Sequence, residues 1–197
     1  MKRLIAFFDF DGTITTRDTL LEIIKYHKGS SRFYAGFLLN APYILAWKLG
    51  LIPNYAAKER IMRHFFSGMP IQDFQSGCDS FAKDVLPGLL RPKALLEIKR
   101  LQELGAEIVI VSASPGQWSE LWRKQVGVQS LATKLAVNGT KLTGRFDGKN
   151  CHGEEKVNRI REAYDLSMYD EIYCYGDTPG DKPMLKLGTI SFYKPFR

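Results

Sequence analysis

The chain has 197 residues, 45% hydrophobic and 25% charged, which suffices for one well-filled domain with a small inserted lid. Its net charge of +7 favours anionic partners, but there is no long block of like charge, zinc-ligand spacing or basic-aromatic strip, so nucleic acid is not an expected partner. Cys78, Cys151 and Cys174 lack C-x-x-C spacing and read as reduced thiols of a cytoplasmic protein; the basic then apolar start is cut short by Asp9 and Asp11, against a signal peptide.

Residues 3–10 are apolar and aromatic and predict a strand buried on both faces, ended by Asp11-Gly12. From about 18 to 86 the pattern is helical throughout. Asp18 or Thr19 caps a first helix, and further helices are expected near 31–49, 55–66 and 71–85, punctuated by Gly50, Pro53, Gly68 and Pro70. Pro87-Gly88 marks a boundary, after which strand and helix alternate. A helix over 92–104 leads to a strand over 107–112, and Ser114-Pro115 reads as the N-cap and first residue of a helix to about 125. Residues 131–137 and 141–147 flank Asn138-Gly139 and predict a hairpin. A helix at 154–164, a strand at 171–175, a short helix near 180–187 and an edge strand at 189–193 complete the chain. The fold class is therefore α/β, a Rossmann-like parallel sheet with helices on both faces, formed by residues 1–14 and 87–197, with an all-helical cap inserted at 15–86.

Ligands of open parallel sheets sit beyond the carboxyl ends of the strands. Asp9 and Asp11, Ser112, and Asp177 with Asp181 all fall at such ends, and Lys156 at a helix start reaches the same edge. Crowded carboxylates repel unless a cation neutralises them, and an all-oxygen site with few protein ligands suits Mg²⁺. Asp9 and Asp11, two apart, can face one substrate, one attacking phosphorus and the other moving the proton. Ser112, Lys156 and the amides near Ala113 supply anion binding. Taken singly these residues have blander readings: Asp-Gly is a common turn, and Asp181 is a plausible helix cap. His27, His64 and His152 lack metal-ligand spacing, and Trp47, Trp118 and Trp122 read as packing.

Asp9-x-Asp11-x-Thr13, the strand ending in Ser112, Lys156, and Gly176-Asp177-x-x-x-Asp181 resemble, in order, the four motifs of the haloacid dehalogenase superfamily. The insert after the first motif is similar to the helical-cap subgroup that holds phosphoserine phosphatases and phosphatidylglycerophosphate phosphatases. The resemblance implies a Mg²⁺-dependent phosphatase working through an aspartyl-phosphate. In that reading Asp9 is nucleophile and metal ligand, and Asp11 is acid/base and lends its carbonyl to the metal. Asp177 is a further ligand, Ser112, Ala113 and Lys156 bind phosphate, and Asp181 and Thr13 support the site. A phosphotransferase using the same intermediate is the alternative, as is phosphoserine phosphatase. For the latter, Arg60 sits about where a carboxylate-binding Arg is expected, but Asp18 replaces a cap Glu and Ala113-Ser114 replaces a Gly pair. The substrate is expected to be a lipid or small-metabolite phosphate. Residues 33–52 are apolar except at Asn40, Pro42 and Lys48. They read as a hairpin packing the cap, with peripheral membrane contact, helped by Arg32, Lys48, Lys58, Arg60 and Arg63, as the sharper alternative. No feature of the sequence sets an oligomeric state.

Overall fold

The computed structural model describes residues 2–197; Met1, the first residue of the expected 1–14 segment, lies outside them. Six strands form one sheet: β1 Leu4–Phe8, β2 Glu107–Pro115, β3 Gln129–Asn138, β4 Lys141–Asp147, β5 Glu171–Gly176 and β6 Ile190–Tyr193. Their order is β4-β3-β2-β1-β5-β6, with every neighbouring pair parallel except the β3–β4 hairpin. β1 is central, pairing Ile5 with Glu107 on one side and Leu4 with Glu171 on the other. All five of its residues are buried, as an apolar run without alternation requires. Leu4, Ala6 and Phe8 join Ile108, Ile110, Tyr173 and Tyr175 on one face; Ile5 and Phe7 join Val109, Val111, Ile172 and Cys174 on the other.

Between β1 and β2 the chain is helical: α1 Thr19–Leu39, α2 Ala41–Lys48, α3 Asn54–Phe66, α4 Ile71–Asp84, the single turn α5 Leu86–Leu89, and α6 Pro92–Glu103. The helix expected over 31–49 does not exist as one piece. α1 runs on to Leu39 with a break in its backbone at Gly29, and Asn40 separates it from α2. The Asn40 amide donates back to the Gly36 carbonyl at 2.8 Å, closing one helix, and Pro42 in the first turn of the next has no amide hydrogen to extend it. The remaining helices are α7 Glu120–Val126, α8 Glu154–Ala163 and α9 Lys182–Leu185.

Ser114-Pro115 does not start a helix. β2 continues to Pro115, pairing with Thr133, and a 3-10 turn over Gly116–Ser119 intervenes before α7. The Ser114 hydroxyl that would have capped a helix is committed to Asp11. The hairpin forms as expected, but its loop is Gly139-Thr140, because Asn138 still pairs with Lys141.

The inserted helices share a continuous core with the sheet: Ile23, Met62, Phe66, Phe74 and Phe81 pack in the same cluster as Phe8, Phe10 and Trp118. A second tie covers the edge of β4. The Gly68 amide donates to Leu142, Leu142 donates to Met69, and Ile71 donates to Thr140, at 2.8–2.9 Å. The Phe146 amide donates to the Glu59 carboxylate at 2.7 Å. This edge, otherwise open to pairing, is closed by the connection between α3 and α4. Gly144 makes the approach of α3 feasible, since at φ 74° any Cβ would collide with the Arg63 backbone. Gly144→Ala is therefore expected to destabilise the fold by about 2 kcal/mol or more, read as a lower urea midpoint at unchanged slope.

Candidate active site

The site lies where β1, β2 and β5 end. Beyond β1, Phe10–Ile14 forms a tight turn in which Gly12 takes φ +83°. A Cβ on Gly12 would come within 2.5 Å of Asp177 Oδ2, so only glycine lets this turn pass under the end of β5. The Asp9 amide donates to the Tyr175 carbonyl at 2.8 Å, which registers the two acidic strand ends against each other.

Lys156 organises the floor. It stands in the first turn of α8 with Glu154 and Glu155, an acidic start suited to a helix N-terminus, and Val157 and Ile160 bury the same face. Its ammonium is buried and donates at 2.6 Å to Asp9 Oδ1 and at 2.6 Å to Asp181 Oδ1. Burial works against that charge, but the two carboxylates outweigh it and hold the Lys156 pKa above its ordinary value. Asp181 also accepts from the Thr178 amide and hydroxyl at 2.9 and 2.7 Å, forming a capping box. Burial pushes Asp181 up, yet Lys156 and those donors win and keep it below the usual carboxylate range. Among the described residues, Asp9 has only Lys156 and the Thr13 hydroxyl, at 3.1 Å, as charged or side-chain donors. There burial prevails over Lys156, and Asp9 is pushed up to about 7.

Oxygens of Asp9, Asp177 and Asp181 lie within 4.8 Å of one another. Thr13 donates to both Asp9 and Asp177, and Arg197 pairs with the other Asp177 oxygen. Three carboxylates thus face two cations; burial raises Asp9 and Asp177, and the neighbouring charge of Asp181 adds to it. A hard divalent cation fits that donor set.

Asp11 is placed differently. Its carboxylate accepts from the Thr19 amide and hydroxyl at 2.7 and 2.6 Å and from the Ser114 hydroxyl at 2.5 Å. The buried Trp118 indole in turn donates to Thr19 at 2.9 Å. The Asp11 side chain therefore stands apart from the acidic cluster, in a cradle built by α1, β2 and the 3-10 turn. Nothing in the local sequence around Thr19, Ser114 or Trp118 marks them as its partners.

A cavity of about 870 Å³ opens over these groups. Asp9, Asp11, Ala113, Lys156 and Asp181 line its floor; Arg17, Asp18 and Lys58 ring its middle; and Leu21, Phe37, Ile44, Trp47 and Ile61 wall its far end. Asp18 caps α1, accepting from Leu20 at 2.9 Å; its carboxyl is open to the cavity, where partial loss of water and the charge of Asp11 push it up, with Lys58 opposing. Ser112 sits one layer behind Ala113, its hydroxyl accepting from the Ser114 amide at 3.0 Å. Arg60 does not reach the cavity. It donates to Asn40 at 2.9 Å and stacks over Tyr43, locking the α1–α2 corner, and Lys58 from the same helix faces inward instead. His152, which is exposed, and Trp47, expected to be a packing residue, both line the cavity. Asn54 Oδ1, also in its wall, has no hydrogen-bond partner within the described chain. The three thiols are buried and raised, Cys151 to about 11, so none is poised as a nucleophile.

A profile of the haloacid dehalogenase-like hydrolases matches residues 6–186. The chain belongs to that family. Among curated relatives, the protein CicA of Caulobacter vibrioides is 32% identical over 98% of this chain and 87% of its own. Two solved structures show the same fold. A Bordetella pertussis Tohama I protein of unknown function superimposes with a TM-score of 0.85 at 21% identity, over 97% of this chain and 89% of the other. A phospho-aspartyl intermediate analogue of phosphoserine phosphatase gives 0.64 at 21%, over 97% and 86%. In this haloacid dehalogenase-like hydrolase the four segments that carried the resemblance, around Asp9, Ser112, Lys156 and Asp177, converge on one sheet edge.

Removing the ammonium leaves Asp9 and Asp181 buried without their cation. Lys156→Met is expected to cost about 3–5 kcal/mol in urea unfolding at pH 7. Asp9, already raised toward 7, rises further in that variant while the unfolded chain keeps the ordinary carboxylate value. The variant then keeps a proton on Asp9 at pH values where the wild-type protein has released it, so the deficit should widen as pH rises from about 7 toward 9.

Proposed function

We propose that the chain is a Mg²⁺-dependent phosphate monoester hydrolase working through an aspartyl-phosphate on Asp9. The observation that carries this reading is the Asp9 carboxylate itself, at the cavity floor, held by Lys156 and Thr13 and flanked by Asp177 and Asp181. Asp9, Asp177 and Asp181, with the Asp11 backbone carbonyl, are the groups that would hold the ion. When bound, it offsets the negative charge of phosphate and carboxylates alike.

An Asp9 oxygen attacks phosphorus, the ester P–O bond breaks, and Asp11 gives its proton to the leaving oxygen. Asp11 then takes a proton from the water that cleaves the Asp9 acyl phosphate, returning Asp9 and inorganic phosphate. Lys156 keeps Asp9 in line and stabilises charge on the transferring group. The Thr19–Ser114–Trp118 cradle keeps Asp11 separate from the ion cluster, so that the two acids meet different surroundings and take different parts. A substrate with an apolar leaving group fits the far wall of the cavity better than phosphoserine does, because Arg60 is engaged elsewhere. A phosphotransferase would share every residue named here.

Asp9→Asn is expected to abolish turnover of p-nitrophenyl phosphate while leaving the circular dichroism spectrum intact; near-normal turnover would refute the nucleophile assignment. Chelation by EDTA should remove activity and Mg²⁺ restore it. Thr19→Val, which deletes one Asp11 donor and the Trp118 acceptor, should lower kcat about ten- to a hundredfold with little change in KM; a change confined to KM would show that Asp11 is not the group it positions.

A further inference from the structure

Beyond the apolar end of the cavity lies a surface that the fold leaves uncovered. Helix α2 is apolar apart from Lys48, yet none of its residues is buried. Ile44 and Trp47 turn toward the cavity, while Leu45 points outward and is 57% exposed. The crest continues through Leu38 and Leu39 at the end of α1 and Leu49 and Leu51 after α2, each at least 65% exposed. A helix apolar all round is normally enclosed, and a contiguous exposed apolar patch marks an interaction site.

Charge selects the occupant. From Ile23 to Lys58 the chain has no acidic residue, while Lys25, Lys28, Arg32, Lys48 and Lys58 are basic. A second copy docked about a two-fold axis would set these cations against themselves. An anionic lipid surface presents the opposite sign and an apolar interior beneath it. No helix of the described residues is long and apolar enough to cross a membrane, which leaves the geometry of an element lying in the interface.

We propose that the α1–α2 corner docks the protein on an anionic bilayer, and that the adjoining apolar end of the cavity accepts the hydrocarbon part of a phosphate monoester carried in that bilayer. The docking half is independent of the chemistry; the substrate half rests on the phosphatase reading.

The docking half is tested by sedimentation with vesicles of phosphatidylcholine alone and of phosphatidylcholine mixed with phosphatidylglycerol. At low salt the protein should bind the mixed vesicles and not the neutral ones, with release as salt is raised. A Leu45→Glu, Leu49→Glu, Leu51→Glu variant, altered only at exposed positions, should lose binding by about tenfold or more. Its circular dichroism and its turnover of soluble p-nitrophenyl phosphate should match wild type. No binding at low salt, or equal binding by the variant, overturns docking. So does light scattering that finds a wild-type dimer which the variant converts to monomer, because the face then belongs to a second copy. For the substrate half, kcat/KM should rise about tenfold or more from ethyl to dodecyl phosphate. A flat series with normal turnover of short esters overturns the lipid substrate and leaves the phosphatase standing. No turnover of any ester removes both and leaves docking to the sedimentation result.

Discussion

Lys156 brings an ammonium group to 1% exposure and divides it between two carboxylates that no other buried cation among the described residues reaches. Neither the charge nor the acids are tolerable alone: an unpaired buried ion costs several kcal/mol, and Asp9 and Asp181 would repel each other without it. The surrounding structure is arranged to keep the three groups in register. Thr178 fixes the far oxygen of Asp181, Thr13 the far oxygen of Asp9, and the absence of a side chain at Gly12 lets the first strand end lie against Asp177. The ion pairs join residues far apart in sequence, so the end of β1, the start of α8 and the segment after β5 cannot shift independently.

The two aspartates of the first motif show how position in such a network separates chemically identical groups. Asp9 has its acidic neighbours and one shared ammonium, and burial leaves it near 7. Asp11, two residues on, accepts from neutral donors of two different elements, Thr19 of α1 and Ser114 of β2. The contrast arises in the turn after β1, where the backbone at Asp11 (φ −73°, ψ 118°) and Gly12 is not helical and the Asp11 carboxylate is taken up by Thr19 and Ser114. Under the proposed chemistry, that separation leaves one acid for metal and phosphorus and the other for the proton.

Much of this was legible in the residues. Apolar runs without alternation gave β1, β2 and β5 their place in the sheet interior, and the acids at their ends marked the working edge. What escaped was settled by tertiary contacts rather than by local pattern. Ser114-Pro115 has the look of a helix start, and loses it because Asp11, far upstream, takes the serine hydroxyl and Pro115 pairs with Thr133. Arg60 and Lys58 are equally basic neighbours on α3, and only the position of Asn40 and Tyr43 decides which turns inward. Thr19, Trp118 and His152 carry no motif at all; their roles exist only once α1, β2 and α8 have met.

The central position of β1 has a consequence for how the molecule comes into being. Its partners are Glu107–Ile110 on one side and Glu171–Tyr175 on the other, so this apolar segment is made before either partner and acquires both only when the later one emerges. Pairings so remote in sequence form slowly, since the intervening chain must be ordered before they are rewarded. The helices between β1 and β2 bury Ile23, Met62 and Phe74 in the cluster that β1 itself completes, and can shelter that segment while the rest of the sheet emerges. Asp9 is attached to this late-finished strand, and Lys156 and Asp181 reach it only after the C-terminal half has folded. A partly made or partly unfolded chain therefore has the acids of the site without their arrangement, which exists only after the final closure of the sheet.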